Sequence, residues 1–410
     1  MTKLRSDRAV VAYIASMAVI LAFGIDASLP AFDELRAEFD LRDGSGEVSL
    51  VVTTYFLGMG FGQLIWGLSS DRIGRQKAML AGLLLYGVGA AGAALAGSMT
   101  MLLVARVIWG LGAAAPSVLR NSVARDLYSG DKLAQITSMA MAIFLMGPAV
   151  APAVGELILL GDNWRWVFAA AVPLAIGGMV WTFRFGETLD PANVRPLDLR
   201  SIAAGARTYF GSRAAFGHSL AITAASGAFF IFLGSSQPIV DEIYGYGDWF
   251  ALIFAGVATC IGLTVWNSGR FIRGHGAPTV ALVSVIGMIA AASTFGVVAV
   301  ATDGRPPFWF WLGAVAVFAS LGTVSTPTMT AMAMTPMARV AGTASALNGV
   351  LTVAGASLLA VVFDRRIDDS VTPMAVGFLV YSLVALGFLL WARGGSEEIV
   401  EPADRATVAR

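Results

Sequence analysis

The chain has 410 residues, of which 57% are hydrophobic and only 13% are charged, and its mean hydropathy is +0.74. Soluble domains carry about 25% charged residues, so this composition excludes a water-soluble protein and predicts a polytopic helical membrane protein. The 27 Lys and Arg balance the 27 Asp and Glu, which argues against a nucleic-acid partner. The single Cys260 and the widely separated His218 and His275 exclude disulfide frameworks and Cys/His zinc sites, so no metal and no cofactor is expected.

Apolar runs of about 20 residues, long enough to cross ~30 Å of hydrocarbon, recur from one end of the chain to the other. Twelve segments are predicted to span the membrane, at about 9–31, 47–67, 78–97, 99–121, 134–160, 165–185, 214–234, 248–268, 277–301, 307–333, 340–363 and 371–392. Asp26 stands where a cleavable leader would need small residues, so the first span is expected to be retained. The predicted fold is an all-α membrane protein of twelve transmembrane helices.

The loops predict orientation and a division into halves. Lys and Arg concentrate at the termini and in every second loop, which predicts that both termini are cytoplasmic. The Arg-rich segment 186–213 separates six spans from six. The predicted units are an N-terminal six-helix bundle (1–185), a cytoplasmic linker (186–213), a C-terminal six-helix bundle (214–392) and a cytoplasmic tail (393–410).

The basic, Gly-containing loops 67–77 and 267–276 occupy equivalent places in the two sets of spans and indicate a degenerate duplication. Two pseudo-symmetric bundles are typical of alternating-access transporters, which bind substrate between their halves. Such a pair encloses its own pathway, so a monomer in the lipid bilayer suffices.

Two charged residues, Asp26 and Arg106, lie well inside predicted spans. Charges there cost several kcal/mol and are candidate functional groups. The two spans run in opposite directions, so Asp26 late in span 1 and Arg106 early in span 4 reach a similar depth. Asp26 is the candidate proton carrier. The alternatives are a static ion pair between the two spans and a simply hydrated Asp26.

The charged residues of the loop GLSSDRIGRQK (67–77) have structural roles that can be inferred from their positions. Asp71 stands just ahead of span 3, where an acidic group can stabilise a helix N-terminus. Composition alone makes the loop cations anchors on the cytoplasmic side. The loop resembles the signature loop of the major facilitator superfamily, with Ser69 in place of an apolar residue. The matching residues, which the resemblance implies to bias the conformational equilibrium, are Gly67, Asp71, Arg72, Gly74 and Arg75.

Two further stretches resemble motifs of drug:proton antiporters. Span 4 contains RVIWGLGAAAPSVLRN (106–121), in which Trp109 replaces a motif Gln. Span 5 contains MGPAVAPAVGE (146–156), whose matching residues are Gly147, Pro148, Pro152 and Gly155. Prolines kink a helix and glycines admit a close neighbour, so this stretch is interpreted as a gate or as ordinary kinking.

Together with the stretches 24–32, 124–128, 163–168 and 341–347, these motifs make the whole chain resemble the Bcr/CflA subfamily of bacterial drug exporters. The resemblance implies proton-driven antiport of amphipathic drugs across the inner membrane, powered by the proton gradient. It also implies that Asp26 and Arg106 couple protons to transport.

The sequence offers candidate cavity residues but does not show which side of each helix faces the cavity. They are Tyr55, Gln63, Phe144, Met146, Phe229, Phe230 and Gln237. A largely aromatic, Met-containing cavity suits bulky apolar molecules, neutral or cationic. Asp364 is expected in a solvated outer loop of mixed charge, without function.

Two other classes remain open at this stage. A proton symporter that imports a small nutrient would share the signature loop and the intramembrane acid, but importers generally lack the span 5 motif. A polytopic enzyme or receptor is a more distant alternative. An enzyme would need a cluster of His, Asp or Glu, or a nucleophile with a base, and the sequence shows neither, so the prediction is a transporter rather than an enzyme.

Overall fold

The computed structural model describes residues 6–41, 47–161, 163–194 and 199–404, and for some helical residues, including 141–146, it describes only the backbone. Throughout these ranges the regular structure is helical, without strands. The spanning helices are α1 (Asp7–Phe39), α2 (Leu50–Ile73), α3 (Arg75–Ala94), α4 (Met99–Leu127), α5 (Gly130–Leu159), α6 (Arg165–Phe185), α7 (Arg213–Ile243), α8 (Gly247–His275), α9 (Ala277–Ala301), α10 (Phe308–Met334), α11 (341–364) and α12 (Thr372–Asp404). A linker helix (Leu199–Gly211) lies between α6 and α7.

Length and apolarity support the predicted number of spans. Ten helical runs among the described residues are long and apolar enough to cross a bilayer. One of these, Phe308–Asp364, bends at Thr335–Val340 and comprises two passes, α10 and α11. With α5, the prediction of twelve transmembrane helices is confirmed. The first helix is longer than predicted, because a tight turn at Leu29–Ala31 continues directly into Phe32–Phe39.

Local chemistry explains where several helices begin. Ser6, Ser98 and Ser212 precede α1, α4 and α7, and each side-chain oxygen accepts a hydrogen bond from a backbone N–H in the first turn. Gly74 separates α2 from α3 at φ +93°, and Gly276 separates α8 from α9 at φ +77°. The two left-handed glycines occupy equivalent places in the two sets of helices, in the loops that suggested a duplication.

The two sets of six helices pack in the same pattern. In the first half α4 packs against α2 and α3, and in the second half α10 packs against α8 and α9. The outer helices also correspond, because α3 packs on α6 in the first half and α9 packs on α12 in the second. Between the halves, α2 runs along α11 and α5 runs along α8. We call the end of the bundle where α1 begins the terminal face and the opposite end the distal face.

The linker helix belongs to the second half. Tyr209 is fully buried, and its hydroxyl donates to Ser219 Oγ of α7 at 2.6 Å. Ser219 in turn donates to Asn348 Oδ1 of α11 at 2.7 Å. This chain of buried hydrogen bonds fixes the linker helix to α7 and α11 at the terminal face.

Glycines bring α4 into backbone contact with both neighbours. A Cβ atom at Gly110 would overlap the Tyr55 carbonyl of α2, and one at Gly112 would overlap the Tyr86 backbone of α3. Close approach of this kind is how helices associate where lipid offers no hydrophobic driving force. The position of Arg106, one turn away on α4, depends on this packing.

Gly110→Ala should therefore lower the thermal stability of the detergent-purified protein, because even one methyl group overlaps the backbone of α2. Overpacking of this kind costs about 1–3 kcal/mol. The matched control is Gly256→Ala in α8, where a Cβ meets no atom within 4 Å. That change should be neutral or slightly stabilising, as is usual for Gly→Ala within a helix. Equal effects of the two substitutions on the unfolding temperature would contradict the close-packing explanation.

Candidate functional site

Arg106 is completely buried and is held by backbone carbonyls rather than by an acid. Its Nε donates to Val51 O of α2 at 2.9 Å, and its Nη1 donates to Gly24 O of α1 at 2.9 Å. Its Nη2 lies 3.4 Å from Ser28 Oγ. One guanidinium group thereby joins α1, α2 and α4.

Aromatic rings enclose the same guanidinium. Its carbon atom lies 4.5 Å from the centroid of the Tyr55 ring, 5.0 Å from that of Trp109 and 5.9 Å from that of Phe168. Ring faces attract cations, and the attraction is stronger where water is absent. Trp109 replaces a motif Gln, so here part of the cation's stabilisation comes from π-faces.

Asp26 lies on the turn of α1 to which Arg106 is hydrogen-bonded. It is 2% exposed and stands between Gly24 and Ser28, the two residues of α1 that accept hydrogen bonds from the guanidinium. No ion pair within 4.0 Å joins Asp26 to Arg106 in the described part of the chain. The two charges thus share a depth, as the sequence indicated, while the carboxyl group is not locked in a direct salt bridge.

The span 5 motif packs on this same stretch of α1. A Cβ atom at Gly147 would overlap the Ala22 side chain, and one at Gly155 would overlap the Ala27 carbonyl. Pro152 is buried within α5. The side chain of Pro148 lies outside the described residues. The glycines of the motif therefore bring α5 against the helical turns on either side of Asp26.

The signature loop is organised around Arg75. Its Nη1 pairs with Asp71 Oδ1 at 2.5 Å, and its Nε pairs with Asp126 Oδ2 at the end of α4 at 3.0 Å. Gly74 supplies the left-handed turn, and Arg72 is exposed. The loop is thus bound to the first half of the protein.

The acid that caps α3 is Glu187 rather than Asp71. Glu187 accepts hydrogen bonds from Arg75 N at 2.9 Å and from Gln76 N at 3.1 Å, the first backbone donors of α3. Asp71 instead lies in the last turn of α2 and binds the Arg75 side chain. The sequence prediction for Asp71 was wrong on this point, because an acid distant in sequence reaches the helix N-terminus from beyond α6.

Polar contacts join the two halves at the distal face. Arg36 Nη1 of α1 pairs with Glu242 of α7 at 2.6 Å and with Asp33 at 2.8 Å. Gln237 Nε2 of α7 donates to Asp33 Oδ2 at 3.0 Å. We call these the distal contacts. Also at the distal end, where α5 meets α8, Glu156 Oε1 of α5 accepts from Ala251 N of α8 at 2.9 Å.

A stacked aromatic pair lies beneath the distal contacts. The rings of Phe56 in α2 and Phe230 in α7 are 4.3 Å apart at an interplanar angle of 30°. Phe229 lies beside Phe230. The halves are therefore held together at two levels on the distal side, one polar and one aromatic.

The terminal side contains cavities between the halves. One, of about 600 Å³, is lined mainly by polar side chains of α2, α4, α5 and α11 that include Gln63, Arg120, Asn121, Arg125 and Ser345. A second, of about 370 Å³, shares Gln63, Arg125 and Ser345 and extends to Asp71 and Arg75 of the signature loop. No carboxylate lines the larger cavity among the described residues.

Among the candidate cavity residues, only Gln63 lines these terminal cavities in the described part of the chain. Tyr55 packs on Arg106, Phe230 stacks on Phe56, and Gln237 belongs to the distal contacts. The side chains of Phe144 and Met146 lie outside the described residues. The polar residues Arg120 and Asn121 were not candidates, because a polar side chain near a helix end could equally face the membrane surface.

Asp364 is not solvated. It is only 1% exposed, and its Oδ1 accepts a hydrogen bond from Ser235 Oγ of α7 at 2.6 Å. The sequence expectation failed because α11 continues to Asp364, so the acid lies in the last turn of a packed helix rather than in the loop that follows.

Comparison with known proteins agrees with this architecture. The chain is 28% identical over 380 residues to the bicyclomycin resistance protein homolog of Haemophilus influenzae, covering 91% of this chain and 94% of that protein. It is 27% identical over 381 residues to a chloramphenicol resistance protein of Pseudomonas aeruginosa, covering 90% and 87%. The partially occluded inward-open xylose transporter XylE of E. coli shares the fold, with a TM-score of 0.74 at 14% identity, covering 94% and 96%.

The relatives are consistent with the sequence resemblance to Bcr/CflA-type exporters, and they belong to a family of transporters, which excludes the enzyme alternative. Residues 14–361 match the family model of the Major Facilitator Superfamily. The protein is a multi-pass membrane transporter of that superfamily, as its signature loop predicted.

Proposed function

We propose that the protein is a proton-coupled antiporter that exports amphipathic drugs across the bacterial inner membrane by alternating access. The observation that carries the proposal is the environment of Asp26. This buried acid lies on the turn of α1 that Arg106 binds, and the glycines of the α5 motif pack against α1 on either side of it, at Ala22 and Ala27. A change in the charge of Asp26 therefore alters the interactions among α1, α4 and α5.

Arg106 makes proton transfer at Asp26 feasible without a large rearrangement. Its own hydrogen bonds to Gly24 O, Val51 O and Ser28 Oγ do not involve the carboxyl group. The guanidinium charge compensates the nearby carboxylate when the proton leaves, and the carbonyls and aromatic rings continue to stabilise the cation when the proton returns. Asp26 can thus cycle between its two forms inside the helix bundle.

Alternating access assigns each face a role. The distribution of Lys and Arg in the loops predicts that the terminal face is cytoplasmic. Substrate therefore enters from the cytoplasm into the polar cavity around Gln63 and Arg120. Release on the other side requires the distal contacts and the Phe56–Phe230 pair to separate. Opening of the distal face then lets Asp26 take up a proton from outside.

The driving force is adequate for export. Moving one charge inward through 100 mV is worth ~2.3 kcal/mol, and a pH gradient adds to this value. Since each 1.4 kcal/mol corresponds to a factor of ten, one proton per neutral substrate sustains a gradient of roughly tens-fold or more.

Asp26→Asn should abolish export, because the amide cannot exchange a proton. The measurement is retention of labelled chloramphenicol in cells that express either form at matched levels, with and without a protonophore. We expect the wild type to lower retention and either the substitution or the protonophore to remove that effect.

The matched control for this experiment is Asp369→Asn, whose side chain is 89% exposed on the distal face and which should export normally. Wild-type cells that retain more compound than empty cells would show import, and the symporter alternative would then replace this proposal. Export that persists unchanged in Asp26→Asn would exclude Asp26 as the coupling group.

Asp71→Asn should slow transport with little change in substrate affinity, because Asp71 contacts Arg75 and not the larger cavity. We expect turnover in proteoliposomes to fall by about tenfold while the Kd of the purified protein changes by less than about twofold. Asp369→Asn again serves as the control. A large loss of affinity at normal turnover would place Asp71 in the substrate site instead.

The two arginines that line the larger cavity favour substrates with hydrogen-bond-accepting groups, such as nitro, carbonyl or hydroxyl oxygens. Arg120→Gln should therefore weaken binding of chloramphenicol by about tenfold, the range expected when one charged hydrogen-bond partner is lost. Equilibrium binding to the purified protein measures the change. Arg305→Gln, an exposed cation of the distal face, is the control and should bind normally.

A further inference from the structure

Asp364 is a buried acid that the proposed mechanism does not use. It lies in the last turn of α11 near the distal face and is 1% exposed. Its Oδ1 accepts a hydrogen bond from Ser235 Oγ at 2.6 Å. Its Oδ2 is buried and has no hydrogen-bond partner among the described residues.

The carboxyl group also lacks a counter-ion. Within the described ranges, no Lys, Arg or His nitrogen lies within 4.0 Å of either oxygen. A buried carboxylate without a partner costs several kcal/mol, whereas a protonated carboxyl group is neutral and retains the hydrogen bond with Ser235. The site as arranged fits the protonated acid.

The site lies at the junction between the two halves. A Cβ atom at Gly234 of α7 would come 2.9 Å from Asp364 Oδ2 and 3.4 Å from the Cβ atom of Ser49. Ser49 immediately precedes α2 and belongs to the first half, whereas Gly234 and Asp364 belong to the second. The last turns of α11 also pack on α2. Separation of the two halves at this end therefore uncovers the side of the acid that faces the first half.

We propose that Asp364 is a second proton-binding site, separate from Asp26, whose protonation holds the distal face closed and whose proton leaves when that face opens. The inference rests on the proposed alternating access but not on the identity of the substrate. Separation of the halves at the distal side removes Ser49 and admits water, which stabilises the carboxylate. Because a proton binds more tightly to the closed state, acid favours closure and alkali favours opening.

The pair Arg36–Glu242 responds in the opposite direction. Protonation of Glu242 weakens its pair with Arg36 and favours opening in acid. Asp241 of α7 faces Asp33 of α1 across the halves, so loss of its proton favours opening in alkali, as loss of the Asp364 proton does. The other charged or titratable groups at the distal ends of these elements are Glu34 on α1, Glu47 before α2, Arg365 and Arg366 after α11 and Tyr381 on α12. The sign of the pH response therefore distinguishes Asp364 from Glu242, and loss of the response in Asp364→Asn distinguishes it from Asp241.

The experiment measures opening of the distal face directly. The chain has a single cysteine, so Cys260→Ala gives a background for two spin labels. Leu95→Cys after α3 and Trp309→Cys in α10 place the labels on opposite halves, at side chains that are 75% and 78% exposed. Double electron–electron resonance then measures the distribution of distances between the two spin labels. The full-length protein is measured in nanodiscs over a pH series, without any drug.

We expect the short-distance, closed population of the otherwise wild-type protein to fall as the pH rises. In Asp364→Asn, where the amide mimics the neutral acid, the closed population should persist throughout the series. Glu242→Gln should retain the alkaline opening. An Asp364→Asn protein that opens with the same midpoint as the wild type would overturn the proposal, as would a closed population that does not depend on pH.

A second variant keeps the test decisive if Asp364→Asn does not yield folded protein. Ser235→Ala removes the hydroxyl donor and leaves the acid in place. The carboxylate loses a stabilising hydrogen bond, so the opening midpoint should shift to higher pH. An unshifted midpoint in Ser235→Ala would contradict the assignment. Asp26→Asn should preserve the response, and loss of drug export in that variant with an intact pH response would separate the two sites.

Discussion

The arrangement of the first half depends on a buried guanidinium group that, among the described residues, no acid binds directly. Arg106 is held by carbonyl oxygens of α1 and α2 and by aromatic rings of its own surroundings. A buried charge is tolerated only when its hydrogen-bonding groups are satisfied, so three helices must keep their register around it. Glycines on α4 make that register possible by removing the side chains that would separate the backbones.

The interface between the two halves differs from one end of the bundle to the other. Near the distal side, the interface between halves consists of short, specific contacts: the pair Arg36–Glu242, the stacked rings of Phe56 and Phe230, and the enclosed Asp364. Near the terminal side the same interface widens into polar cavities. A transporter needs bistable contacts on one side and space on the other, and here the chemistry of each side matches its role.

Much of this could be predicted from the sequence, for identifiable reasons. The twelve spans follow from the requirement that backbone groups be satisfied inside a membrane, and Asp26 and Arg106 are conspicuous because charges are rare there. The cap of α3 by Glu187 could not be predicted, since it depends on which loop reaches that helix end. Nor could the burial of Asp364, because a shift of one helical turn moves a residue from a loop into a packed interface.

The segment between α6 and α7 is anchored at two points, and these anchors affect how the two halves can move. Glu187 ties the start of this connection to the first half, and Tyr209 ties its helix to the second. In the described part of the chain, the helices that pack most extensively on one another belong to the same half. The two anchors are attached to different halves, so any movement of one half relative to the other changes the distance that the connection between Glu187 and Tyr209 must span.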